Sequence, residues 1–176
     1  MEKRPPKDEY YLNIAKEIAK RSTCFRVRSG AIIVKGDVIV TTGYVGAPRK
    51  TKDCFERGEC LRNKLNIPHG KQYEICRSVH AEQNAIINAA RSGANVLGGD
   101  MYFYGENTKG IKFEALPCFI CKKMIINAGL KRFIGSTRDG GYRVFNIEDW
   151  IHDWQEKDIL DDKYQYGADQ NENRET

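Results

Sequence analysis

At 176 residues, with 40% hydrophobic and 30% charged side chains, the chain has a soluble globular balance and enough length to bury the core of one domain. Its longest apolar runs, "AIIV" and "MII", fall far short of the roughly 20 residues that span a bilayer. The charged start "MEKRPPKDEYY" does not read as a secretory signal, so the expected setting is cytoplasmic, without a membrane partner.

A net charge of +5 is scattered among acids, which makes a nucleic-acid partner a poor expectation. Six cysteines in a reducing compartment point to metal or catalysis rather than to disulfides.

In chain order, residues 8–21 set Tyr11, Ile14, Ala15, Ile18 and Ala19 on one helical stripe. "SGAIIVKGDVIVTTGY" follows as two β-branched runs around "KGD", the pattern of a hairpin. From Gly43 to Arg77 come about 35 residues with Pro, Gly, charges and three cysteines but little periodicity. A structureless loop of that length is uncommon in a compact domain; metal coordination would hold it.

Helical spacing resumes at His80, with Ala81, Ala85, Ile86, Ala89 and Ala90, and stops before Gly93. "GDMYFYG" is a predicted strand and "ENTKGIKFEAL" a polar insertion. "PCFICKKMIINAGL" is a predicted helix with Pro117 at its start and Gly129 near its end. "KRFIGST" and the shorter "YRVFNI" are predicted strands. The last helix, around "EDWIHDWQEK", carries Trp150 and Trp154 at i and i+4, expected to anchor it in the core. A folded domain over 1–160 and a polar C-terminal tail over 161–176 complete the expected organisation. The order α-β-β-α-β-α-β-(β)-α predicts an α/β fold, a three-layer α/β/α sandwich on one mixed sheet.

Two short motifs carry chemistry. In "SVHAEQNAII", His80 and Glu82 open a helix; in "PCFIC", Cys118 and Cys121 open another. Cysteines at i and i+3 share a face, and the positive helix end favours their thiolates. With His80 they supply three donors to a zinc ion and leave the fourth tetrahedral position open, as catalytic rather than structural zinc requires. Residues two apart do not share a helix face, so Glu82 is free for general acid–base work beside the metal. His-x-Glu combined with Pro-Cys-x-x-Cys is the signature of zinc-dependent nucleobase deaminases. A core histidine with two buried thiols is the plain alternative.

"RSTCFRVRSGAIIV", "GYVGAPR", "CRSVHAEQNAII" and "PCFICKKMIINAGLKRF" together resemble the deoxycytidylate (dCMP) deaminases of the cytidine deaminase-like fold. The likeness spans about residue 10 to residue 137. It implies hydrolytic removal of the amino group of a pyrimidine nucleotide, dCMP giving dUMP and ammonia. By resemblance His80, Cys118 and Cys121 are zinc ligands and Glu82 is the proton shuttle. Backbone groups beside Ala81 and Pro117 would help hold the base, and Arg26 would bind the phosphate. A homo-oligomer, commonly a hexamer, is implied in the same way.

Cys24, Cys54, Cys60 and Cys76 could complete a closed structural zinc site, with His69 able to replace one of them; several family members look similar in carrying a second zinc here. Unlinked buried thiols are the alternative.

The sequence also departs from the family. "YVG" puts Val45 where the family has an asparagine that contacts the sugar. Tyr142, in "RDGGYR", stands in a region where the family places a tyrosine over the base, but at a different spacing. The insertion "ENTKGIKFEAL" should lie at the mouth of the pocket. Besides a dCMP-type enzyme, three readings stay open: a deaminase of another nucleotide, nucleoside or base, an RNA-editing deaminase, and a non-catalytic zinc-binding interaction module. Glu82 discriminates against the last, since a structural zinc has no need of it.

Overall fold

The computed structural model describes residues 4–68 and 70–159. His69 and the tail over 161–176 lie outside them.

The β-branched runs close as an antiparallel hairpin, β1 (Val27–Lys35) and β2 (Val38–Tyr44), which turns through Gly36 and Asp37, both at positive φ. Strands β3 (Asp100–Asn107), β4 (Arg132–Ser136) and β5 (Tyr142–Asn146) complete one mixed sheet in the order β2-β1-β3-β4-β5. Only the β3–β4 pair is parallel.

Helix α1 (Lys7–Ala19) covers one face of the sheet, packing Tyr11, Leu12, Ala15 and Ala19 against Ile32, Val34 and Tyr102. The alternate residues Ala31, Ile33 and Met101 point to the other face, because successive strand side chains face opposite ways. With both faces covered, β1 reads as a continuous apolar run rather than an alternating one.

The long segment between β2 and the second periodic helix is not structureless. It holds two single-turn helices, α2 (Cys54–Arg57) and α3 (Leu61–Lys64), and a 3-10 turn at Tyr73–Ile75. One turn is too short for helical periodicity to register. Side chains hold these turns: Asp53 and Glu56 form a reciprocal capping box on α2. Arg77 bonds the Glu59 carboxylate at 3.0 Å, and Arg62 donates to the Pro68 carbonyl at 2.8 Å.

Helices α4 (Ala81–Ser92), α5 (Phe119–Asn127) and α6 (Ile147–Glu156) lie on the face opposite α1. The Trp150 ring packs 5.7 Å from Phe133 and 5.6 Å from Phe145 and is buried, as expected; Trp154 is half-buried. No helix among the described residues is long and apolar enough to cross a membrane.

Helix α4 lies almost on the backbone of β2. A Cβ at Gly43 would stand 2.3 Å from the Ala81 carbonyl oxygen and from the Ala85 nitrogen, so only glycine permits this approach. Thr41 Oγ1 donates to the Ala85 carbonyl at 3.0 Å, and Asn84 and Asn88 donate to the carbonyls of Tyr44 and Thr42, each at 2.8 Å. Register then gathers one end of the sheet: Val27 faces Asn107, and Gly30 faces Tyr44. The start of β1 and the ends of β2 and β3 therefore meet where α4 and α5 begin.

Candidate metal centre and cavity

His80 is the N-cap of α4 and Cys118 the N-cap of α5, both with extended backbones. Pro117 thus precedes the α5 cap instead of filling the first helical position, because Cys118 takes up the cap conformation. Two features aim His80. The Gln83 side chain accepts from its backbone N–H at 3.0 Å, and the preceding Val79 is paired to Gly46 by two backbone hydrogen bonds. Cys121 follows in the first turn of α5, on the same side as Cys118.

Zinc bonds sulfur at about 2.3 Å and imidazole nitrogen at about 2.0 Å, so tetrahedral angles set nitrogen and sulfur about 3.5 Å apart. His80 Nδ1 lies 3.5 Å from Cys118 Sγ and 3.3 Å from Cys121 Sγ, and these three residues are the group at ligand spacing found among the described residues. The donor set fits zinc. Three donors leave one tetrahedral position for water or substrate. Glu82 is not part of the group, in keeping with its position two residues beyond His80.

Charge at the centre is arranged by contact and burial. A hydrogen bond from Cys121, then one from His80, holds the Cys118 thiol well below its ordinary value, while burial and the neighbouring Cys118 push Cys121 up. A Cys118 thiol made more acidic at the positive end of α5 suits a group that must bind metal as thiolate. Burial pushes the Glu82 carboxyl up to about 7, and it is hydrogen-bonded with Cys121. A carboxyl of that acidity can both take and return a proton near neutral pH.

His80, Glu82 and Cys118 border one cavity, and Arg26, Val45, Phe113 and Arg62 border it with them. Arg26 Nη1 is buried there without a hydrogen-bond partner. Val45 turns its side chain to the cavity while its backbone bonds Ser29 and Thr23. Ala81 and Pro117 are buried beside the donors in sequence, and neither lines the cavity. Tyr142 is not brought in: it begins β5, 40% exposed and off the cavity.

Cys24, Cys54, Cys60 and Cys76 all border the same cavity as free thiols. Burial raises Cys24 and Cys54, and each feels the charge of the other cysteines. Their sulfurs do not form a group at ligand spacing among the described residues.

A family profile described as the cytidine and deoxycytidylate deaminase zinc-binding region matches residues 5–137. The chain belongs to this family. Among relatives of the cytidine and deoxycytidylate deaminases, the deoxycytidylate deaminase of Schizosaccharomyces pombe is 33% identical over 134 residues, which is 76% of this chain and 38% of that protein. The enzyme of the same name from Mycobacterium phage D29 is 33% identical over 136 residues, 74% of this chain and 94% of that protein. The apo crystal structure of dCMP deaminase from cyanophage S-TIM5 has a TM-score of 0.55 at 26% identity and covers 77% of this chain and 86% of that one. The chain spans 38% of the length of the Schizosaccharomyces pombe relative, so likeness to it concerns one part of a longer protein.

Arg62, Tyr73 and Phe113 are among the cavity residues that had no role in the sequence reading. The Tyr73 ring meets His80 edge-on at 4.9 Å, and the Arg62 guanidinium stacks 4.7 Å from the Tyr73 centroid. Phe113 reaches the cavity across the missing side chain of Gly105, where a Cβ would meet its ring at 2.4 Å. An aromatic residue within a polar insertion was the available signal for Phe113. Arg62 and Tyr73, in an aperiodic charged loop, offered none.

Proposed function

We propose that the protein is a zinc-dependent hydrolase acting on a cytosine nucleotide, converting dCMP and water to dUMP and ammonia. The observation that carries this reading is a buried carboxyl, Glu82, set beside three zinc donors in a cavity that also holds the Arg26 guanidinium. Relatives named deoxycytidylate deaminase support the same substrate.

His80, Cys118 and Cys121 hold the zinc, whose contribution is to acidify water into a nucleophile near neutral pH. Of the two protons of water, one ends on ring N3 and Glu82 carries the other to the departing amino nitrogen, so that the C4–N bond breaks, a C4–O bond forms and ammonia leaves the uracil product. The family resemblance gives backbone groups beside Ala81 and Pro117 a part in holding the base, although neither residue lines the cavity. Arg26 holds the phosphate with its forked donors. Val45 gives the sugar an apolar wall, and this favours a second reading, action on a related cytosine nucleotide.

Cys24, Cys54, Cys60 and Cys76, or His69 in place of one, close on a second, structural zinc in the same proposal. Its support is convergence of four thiols on one cavity; binding would draw them in to ligand spacing. A cytoplasmic homo-oligomer belongs to this reading as well, with free thiols as its support for a reducing setting.

The test is ammonia release by zinc-loaded protein from cytidine, deoxycytidine, dCMP, CMP, dCTP, 5-methyl-dCMP and adenine counterparts, for wild type and Glu82→Gln. Turnover of dCMP is expected, falling by about 10²–10⁴ in the glutamine variant with zinc retained. Silence across the panel with zinc bound, or full turnover in the variant, would overturn the assignment.

A further inference from the structure

Each thiol donor of the metal centre is followed in the chain by a side chain that packs on α6. Phe119 follows Cys118, and its ring lies 6.5 Å from that of Trp154. Lys122 follows Cys121, and its Nζ stands 4.5 Å from the Trp150 centroid and 5.4 Å from the Trp154 centroid. Successive helical residues are turned by about 100°, and residues three apart share a face. One side of the start of α5 therefore carries Cys118 and Cys121 to the metal, and the adjoining side carries Phe119 and Lys122 to α6.

Lys122 is the unexpected member. It is 2% exposed, and lysine is among the residues least often buried. Taking an ammonium out of water is costly, and a methionine of similar length would fill the space without that cost. The ammonium marks a directional contact, because a cation within about 6 Å of a ring face is attracted by the ring quadrupole, and more strongly where water is excluded. The far side of this contact is firm: Trp150 is buried against Phe133 and Phe145 in the main core. Its Nε1–H has no acceptor among the described residues, so the indole serves through its ring and not as a donor. The near side is joined to both thiols. Lys122 is peptide-bonded to Cys121, and its backbone N–H donates to the Cys118 carbonyl at 2.8 Å. Lys122 does not line the cavity, so it is set to act on the donors and not on a ligand.

We propose that Lys122 is a positioning residue for the metal centre: held between Trp150 and Trp154, it fixes the start of α5 and with it the directions of the Cys118 and Cys121 thiols. This rests on the zinc reading above. The last helix then belongs to the support of the metal site, since groups that orient metal ligands tune both affinity and reactivity.

A clamp that serves folding alone would lower Tm and leave the centre of the folded protein unchanged, and that separates the two roles. The probe is Co(II) in place of zinc, whose d–d and thiolate charge-transfer bands report ligand geometry. Spectra are taken well below Tm on the full chain, with the Cys118→Ser protein subtracted to remove any other metal-binding thiols. Wild type, Lys122→Met, Trp154→Phe and Trp154→Leu are compared in these bands, in zinc affinity by chelator competition, and in kcat and KM on dCMP. Lys122→Met and Trp154→Leu should shift the cobalt bands, weaken zinc about ten- to a hundredfold and lower kcat with KM within about twofold. Trp154→Phe, which keeps a ring face, should fall between leucine and wild type. Adding Trp154→Leu to Lys122→Met should do little more than Lys122→Met alone, because both act on one contact. If Lys122→Met does not fold, the two Trp154 variants, at a half-buried position, decide through the same bands. Unaltered cobalt bands and zinc affinity in the folded variants would overturn the proposal, whatever the fall in Tm. A wild type that binds no metal at His80, Cys118 and Cys121 would instead sink the zinc reading, and this inference with it.

Discussion

Two sets of cysteines border the same cavity, and they are framed in opposite ways. Cys118 and Cys121 stand in the first turn of α5, with His80 at the matching point of α4; both helices are locked onto the sheet, and the donors already stand at zinc spacing. Cys54 opens one single-turn helix and Cys60 caps another, Cys76 follows a 3-10 turn and Cys24 lies ahead of β1, and no three of their sulfurs stand together at ligand spacing among the described residues. One scaffold makes its metal site; the other would be made by its metal. Zinc at the first should therefore supply chemistry, and zinc at the second should supply folding free energy.

The sharpest way to break that comparison is to remove one thiol from each set. For Cys118→Ser, zinc content should fall by one ion per chain and turnover by more than about a thousandfold, since both nucleophile and proton transfer lose their centre. Its Tm should move little, because α5 stays packed through Ile125 and Cys121 in the main core. For Cys60→Ser the pattern inverts. One zinc is lost, Tm falls by roughly 5–10 °C, as a loss of a few kcal/mol predicts for this size, and turnover at low temperature stays within about tenfold. Metal analysis, thermal melts and rate measurements on the same preparations check both. Equal Tm losses with equal rate losses would mean that the two sets form one cooperative unit.

The same contrast explains how much was legible in the sequence. Periodicity found α1, α4 and α6 because each buries a stripe, while β1 and β2 were found as β-branched runs on either side of a turn signal. The donors of the first set followed, since a helix start fixes where residues i and i+3 point. The turns between β2 and α4 were not legible: four residues carry no period, and what orders them is Arg77 on Glu59 and Arg62 on two carbonyls, contacts between residues that spacing cannot link. Tyr142 illustrates the same limit. Its place depends on the β4–β5 register, where it faces Ser136 on an exposed edge, and no local pattern encodes that.

A smaller effect tests whether the rigid frame itself places His80. Gly43→Ala inserts a methyl 2.3 Å from α4 backbone atoms, so the helix must shift. Overpacking of this kind costs about 1–3 kcal/mol, or roughly 2–10 °C in Tm at this chain length. Because α4 carries His80 and Glu82 together, turnover should fall about ten- to a hundredfold even where zinc remains bound, as sub-ångström to 1 Å displacements of catalytic groups do. Unchanged turnover with a lowered Tm would place the alignment of His80 with the Val79–Gly46 pairing rather than with the helix seat.

The smallest expected effect lies at Val45, on the cavity wall between the two sets. The residue is 5% exposed and its backbone is already paired to Ser29 and Thr23, so Val45→Asn changes only what faces the ligand. An amide there has no partner until a substrate hydroxyl arrives, and an unmet buried amide costs about 1–3 kcal/mol. The free variant should therefore melt a few degrees below wild type. Saturating dUMP should recover more stability in Val45→Asn than in wild type, because ligand binding adds to stability in proportion to its affinity. The corresponding change in KM for dCMP is about three- to tenfold downward, with kcat nearly constant, since the contact is made equally in ground and transition states. Identical dUMP-induced shifts in the two proteins would mean that the sugar does not lie against Val45, and the orientation of the nucleotide in the cavity would have to be redrawn from the Arg26 end.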